Sequence, residues 1–300
     1  MDHEIVAEGL AFPEGPVVMN DGSVIVVEVF GGCLTRIAPD GTIERIAQLG
    51  GGPNGAATGP NGCIYVCNNG GIAARREGDQ VIPTGTETPG YAGGSIQRFD
   101  PRDGSFSTLY THSGGTLLHS PNDIVFDRTG GMWFTDFGKL IAGARTTASI
   151  HYAAADGSGI RCLVRGPHAF NGIGLSPDES GLIVADTWSA RLLRFEIAAP
   201  GQLASTEPAI IATASGKGRG LDSLAIGADG AVYVGALLPG AIMVVHADGR
   251  VEDQSLPDPY VTNIAFGGSD MRTAYLTLSQ TGKLVRTRHL GEGLRPNFAA

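Results

Sequence analysis

One unit recurs six times along this chain, and that recurrence limits the fold more than any other property. Each copy opens on a polar residue in a turn and continues as a short apolar strand. It then turns at a Gly, Asp or Asn pair and enters a second apolar strand. The first copy runs from Glu14 through the turn Asn20-Asp21-Gly22 to Val24-Ile25-Val26-Val27. The others open on Asn54, Asn122, Asn171, Asp222 and Asn263, giving spacings of 40, 68, 49, 51 and 41 residues. Units of roughly 40 to 50 residues with four short strands each are propeller blades. Six of them predict an all-β chain, a six-bladed β-propeller forming one domain over residues 1–300. A β-sandwich has evenly spaced hairpins too, but gives no reason for the same residue type to lead six successive units. The long second unit carries an insertion, about residues 70–94, rich in Gly, Thr and Pro. It is expected to be a long loop, placed as a lid over one face.

Composition agrees. Glycine supplies 46 of 300 residues and charged residues only 17%, and Gly weakens a helix interior by about 1 kcal/mol relative to Ala. Helical bundles and solenoids are thereby disfavoured, while 42% hydrophobic residues support a packed core rather than disorder. Gly22, Gly41, Gly62, Gly104, Gly130 and Gly230 are expected in the turns between strands. The net charge is −9, and Arg75-Arg76 is the longest Lys/Arg cluster. That argues against a nucleic-acid or anionic-membrane partner and leaves a small-molecule substrate, with no oligomeric state implied. Met1-Asp2-His3-Glu4 has no basic n-region, so a cytoplasmic location is expected. Four cysteines are too few for a disulfide scaffold, and Cys63 and Cys67 are expected to be packing residues.

In a propeller the first strand of each blade lines a central channel. The six leading residues would therefore gather at one mouth, offering two carboxylates and four carboxamides. Oxygen donors of that kind suit a hard divalent cation, Ca²⁺ ahead of Mg²⁺, Mn²⁺, Zn²⁺ or Fe²⁺. Asn263 lacks a Pro or Gly neighbour and is read as structural. Gly15, Gly55 and Gly172 each follow a proposed pocket residue, where a missing Cβ would let the backbone approach the metal. Asp123 and Asp136 are read either as turn caps or as pocket residues, and Trp188 either as blade packing or as a ring that stacks on substrate. His168, three residues before Asn171, is within reach of the mouth as a substrate-binding or proton-shuttling group. Gly216-Lys217-Gly218-Arg219-Gly220 lacks the Walker spacing and is read as a flexible entry to the fifth blade.

These residues carry a resemblance. Phe12-Pro13-Glu14-Gly15-Pro16, Ser120-Pro121-Asn122-Asp123 followed by Trp133-Phe134-Thr135-Asp136, Asn171-Gly172-Ile173, and Ala185-Asp186-Thr187-Trp188 stand in an order similar to that of the SMP-30/gluconolactonase family of six-bladed propellers. The resemblance covers residue 9 to about residue 285. It implies a single divalent cation in the channel, held by Glu14, Asn171 and Asp222, with Asn122 as a further ligand or a substrate contact. It also implies that Asp222 is the catalytic acid/base and that Asn54 is a pocket residue. One departure stands out: the family's Pro-Asp-Gly in the fifth blade is Leu221-Asp222-Ser223 here.

The expected activity is metal-assisted opening of a lactone ring, a sugar lactone first. Substrate contacts would come from Asn54, Asn122, Asp123 and His168. The alternatives are a related hydrolase or lyase acting on another ester or a phosphotriester, and a non-catalytic binding propeller. Retention of both Glu14 and Asp222 weighs against the last.

Overall fold

The computed structural model describes residues 1–77, 80–216, 218–238 and 240–299. The residues are joined into six antiparallel sheets that follow one another along the chain, the first of them ordered Pro13–Val18, Val24–Glu28, Cys33–Ile37, Ile43–Gln48. The innermost strand of each sheet is Pro13–Val18, Pro53–Thr58, Pro121–Phe126, Phe170–Leu175, Gly220–Ile226 or Val261–Gly267. Each of these packs against the next, and the sixth packs against the first, so the inner strands form a closed ring. The molecule is an all-β propeller.

There is no single central core. Six apolar clusters lie one at each junction between neighbouring sheets. That explains the unbroken apolar runs of the second strands. A sheet covered on both faces buries every side chain, so Val24–Glu28 and Gly131–Asp136 are buried at all positions instead of alternating. Cys63 and Cys67 pack in the wedge between the second and third blades, as expected of them. Gly22 and Gly230 sit in turns at φ +82° and +85°, which only glycine adopts without strain.

Two features were not anticipated. Strand Glu4–Ala7 is the outer strand of the sixth blade, antiparallel to Lys283–Thr287. The first and last parts of the ring are thus sewn together, with Glu4 and Arg286 forming an ion pair at 2.8 Å. The 70–94 insertion is a β-hairpin, Ile72–Glu77 with Gln80–Glu87, rather than the long loop expected. It joins a second small hairpin, Leu140–Ile141 with Ala144–Arg145, in a four-stranded cap sheet. Backbone pairing overrode a composition that reads as loop. Residues 78 and 79 of the insertion lie outside the described residues, as does Lys217 of the glycine-rich entry to the fifth blade.

Candidate metal centre

Every inner strand is irregular at the same place. Its pairing with the second strand slips after Glu14, after Pro53, after Pro121, after Phe170, after Leu221 and after Val261. Such β-bulges bend a strand and re-aim side chains. Here they turn two successive residues per blade out of the pleat, which is why polar residues sit inside apolar strands. Aligned on the flanking pairs, the first bulge position holds Glu14, Asn54, Asn122, Asn171, Asp222 and Thr262. The second holds Gly15, Gly55, Asp123, Gly172, Ser223 and Asn263.

This register corrects the sixth copy. Thr262, not Asn263, occupies the repeated position. Asn263 instead shares its position with Asp123 and Ser223. Sequence alone could not separate two adjacent polar residues. Asn263 nevertheless faces the site, since its Nδ2 donates to Glu14 Oε2 at 2.8 Å.

The glycines also act differently from expectation. A Cβ on Gly15 would lie 2.6 Å from Asn54 O, on Gly55 2.5 Å from Asn122 O, and on Gly172 2.6 Å from Asp222 O. What passes close to each glycine is therefore the bulge of the next blade. The missing Cβ lets neighbouring inner strands converge.

Three carboxyl groups of this ring feel one another's charge. Glu14 is 3% exposed, and burial pushes it up to about 7 against the hydrogen bonds from Asn263 and the Gly15 amide. Asp123, 6% exposed, is also pushed up to about 7, by burial and then by the charge of Glu14. Asp222 is driven well above the usual carboxylate range, first by burial and then by the charges of Glu14 and Asp123. Beside them, Asn122 Oδ1 and Asn171 Oδ1 are buried without a hydrogen-bond partner. Asn171 is oriented through its Nδ2, which donates to Thr187 Oγ1 at 3.1 Å. Asn54 is half-buried.

These observations test the fit of a cation. Orphaned buried oxygens are rare and costly, and desolvated carboxylates that repel one another need a positive charge or protons. Glu14, Asp222, Asn122 and Asn171 supply all-oxygen donors with two formal negative charges, which suits a divalent hard cation. Among the described residues no three His, Cys, Asp or Glu side chains come together as a metal site. The carboxamides would therefore have to take part.

A second tier holds these residues in place. In the first four blades the last residue of the second strand accepts a hydrogen bond from the loop that leads into the inner strand. Glu28 accepts from Ala11 N at 2.7 Å, Asn68 from Gly52 N at 3.0 Å, Asp136 from Ser120 N at 2.8 Å, and Asp186 from Ala169 N at 3.1 Å. Asp136 is thus a loop clamp, whereas Asp123 faces the site. The signal was present in the sequence: these residues follow their pocket partners by 14, 14, 14 and 15 positions. His168 stacks on Phe170, and its Nδ1 lies 2.9 Å from Asp186 Oδ2. Beyond the carboxylates, a channel of about 520 Å³ runs along the inner strands from Gly15, Asp123 and Asn263 to the C-terminal residues Leu294–Ala299.

The cap sheet rises on the same side as the clamps, since its hairpins follow Asn68 and Asp136. Lys139 anchors it: buried at 1% exposure, its Nζ donates to Asn69 O and Gly71 O at 2.5 Å. Trp188 is not blade packing. It is 49% exposed, with the Arg145 guanidinium 3.6 Å above its ring.

Comparison with known proteins gives a family and a fold. The model of the SMP-30/gluconolactonase/LRE-like region matches residues 12–280. The lactonase drp35 of Staphylococcus saprophyticus is 26% identical over 84% of this chain and 72% of its own length. A 6-deoxy-6-sulfogluconolactonase of Pseudomonas putida is 27% identical over 63% of this chain and 77% of its own. Among solved structures, a gluconolactonase from Xanthomonas campestris superposes with a TM-score of 0.75 at 21% identity, over 95% of this chain and 89% of its own. A calcium-binding regucalcin from Agrobacterium tumefaciens gives 0.72 at 18%, over 99% and 96%.

Proposed function

We propose that this chain, which belongs to the SMP-30/gluconolactonase/LRE-like family, is a divalent-metal-dependent lactonase acting on a sugar lactone from the mouth of a six-bladed propeller. The observation that carries this reading is that two orphaned carboxamide oxygens, Asn122 Oδ1 and Asn171 Oδ1, share the ring of bulges with the buried Glu14 carboxyl and the half-buried Asp222 carboxyl. Lactonase relatives at about a quarter identity support the reaction class, and a calcium-binding relative of the same fold supports the cofactor class.

Glu14, Asn171 and Asp222 would hold the cation, with Asn122 beside it. When bound, it would polarise the ring carbonyl and acidify a water, and Ca²⁺ is our first choice. The protein's own groups do the rest. Asp222 as a carboxylate takes the proton of the attacking water. That proton is delivered to the ring oxygen as the C–O bond breaks, giving the hydroxy acid. Asn54, Asn122 and Asp123 orient the ring by hydrogen bonds, and His168, fixed by Asp186, lies in the loop before Asn171 as a further substrate contact. Asn263 and the Gly15 amide hold Glu14 in one orientation.

The test is acid release in a pH-stat from glucono-, xylono- and butyro-lactones, with and without EDTA. Chelator-sensitive release is the expected result. No release from any lactone by a metal-loaded protein would end the lactonase reading.

A further inference from the structure

One exposed cation at the rim is stacked on aromatic rings and, among the described residues, has no carboxylate partner. Arg145 stands at the end of the second cap hairpin. Its guanidinium lies 3.6 Å over the Trp188 ring and 5.6 Å from the centre of the Phe137 ring, with Phe137 and Trp188 edge-to-face at 5.7 Å. Its Nη2 faces Gly85 of the neighbouring hairpin. Desolvation against these rings lowers its pKa, while the side chain stays exposed to solvent. By contrast, Arg36, Arg128, Arg219 and Arg286 all hold carboxylate partners at 3.0 Å or less.

The position matters as much as the chemistry. Trp188 directly follows Thr187, whose hydroxyl accepts from Asn171 Nδ2 and donates to Leu221 O. Phe137 directly follows the clamp residue Asp136 and donates its amide to Ser120 O, two residues before Asn122. Both rings therefore stand on loops that follow the second strands and are hydrogen-bonded to the entry of the Asn122 strand and to Asn171 itself, on the capped side of the ring. Trp188 lies under the guanidinium with Phe137 at its side, and among the described residues its N–H groups have no hydrogen-bond partner. A planar fork of that kind matches carboxylate and phosphate geometry in a way lysine does not.

The geometry points to Arg145 as a specificity residue that reads an anionic substituent, a carboxylate or phosphate, on the part of the substrate remote from the ring carbonyl. This rests on the lactonase reading and narrows its substrate class to acidic sugar lactones.

The test compares kcat/KM for a neutral lactone (glucono-1,5-lactone), a carboxylate lactone (glucaro-1,4-lactone) and a phosphate lactone (6-phosphogluconolactone). It uses the wild type, Arg145→Gln and Arg145→Lys. The wild type should prefer one acidic lactone, and the preferred one identifies the anion. Arg145→Gln should cut that preference by about 10- to 100-fold, the range for hydrogen bonds to charged groups. The loss should appear in KM, and the wild-type KM should rise with salt. Arg145→Lys should restore only part of it. Because Arg145 is exposed, both variants should melt with the wild type. Equal use of neutral and acidic lactones, or a preference that survives Arg145→Gln, overturns the inference and leaves the lactonase reading standing. Turnover of none of the three by wild type that also fails on xylono- and butyro-lactones removes both.

Discussion

The substitution Gly172→Ala tests whether convergence of neighbouring bulges builds the site. A Cβ at this position would lie 2.6 Å from Asp222 O, 2.7 Å from Ser223 Cα and 2.8 Å from Leu224 N. All three atoms are backbone of the fifth blade's inner strand, so none can swing aside as a side-chain tip would. Restoring contacts of 3.4 Å requires the two strands to part by roughly 0.6 to 0.8 Å. Overpacking of this sort costs about 1–3 kcal/mol. The displacement falls between Asn171 and Asp222, and a misplacement of about 1 Å can cost on the order of 100-fold in rate. Gly159→Ala is the matched control. Its Cβ would meet nothing within 4 Å, and its φ is not left-handed, so it should be neutral or stabilising by up to about 1 kcal/mol. Urea denaturation and lactone turnover, measured on both variants, give the answer. If Gly172→Ala unfolds at the wild-type midpoint and keeps its kcat, close strand approach does not position the site.

Three further outcomes are expected. Glu14→Gln and Asp222→Asn should each lower lactone turnover by at least about 100-fold while the metal-free protein melts no lower than wild type, because each removes a buried charge; near wild-type rates in both would reassign the acid/base. Adding a divalent cation at about 100 times its Kd should stabilise the wild type by about 2.7 kcal/mol, and Asn122→Ala/Asn171→Ala should lose most of that gain in a thermal shift series. Burial pushes the His151 imidazole, 1% exposed, down to about 3. Between its unfolded value near 6.5 and that folded value the unfolded chain binds a proton that the folded chain does not. Stability should thus fall with decreasing pH by up to ~1.4 kcal/mol per pH unit. His151→Gln should flatten the decline in urea midpoints between pH 6.5 and 4.5, and an unchanged slope would count against a neutral buried His151.

What could be read from the sequence, and what could not, follows from the range of the interactions. The bulge residues stand out because polar groups interrupt apolar strands at a regular interval, and a local pattern is visible without knowing partners. Thr262 was missed because Thr262 and Asn263 are both polar, and only the pairing of Val261 with Leu278 and Ile264 with Leu276 fixes which one leads. The cap hairpin reads as a loop because its stability depends on the Leu140–Arg145 hairpin and on Lys139, far along the chain. Arg145 carries no local signal at all, since its significance comes from rings at positions 137 and 188. The clamp series of Glu28, Asn68, Asp136 and Asp186 was legible in principle from its near-constant offset.

The seam between Glu4–Ala7 and Lys283–Thr287 sets the order of events when the molecule folds. Glu4 pairs with Arg286 across 282 positions. On a ribosome, strand Glu4–Ala7 has no partner until Lys283–Thr287 has emerged. Until then five blades can stack into an open arc, with an apolar face bare at each end. Contacts of such separation form slowly, and bare strand edges invite pairing with other chains. Losing the seam would therefore tell first in the yield of soluble protein, through chains that associate before the arc becomes a ring.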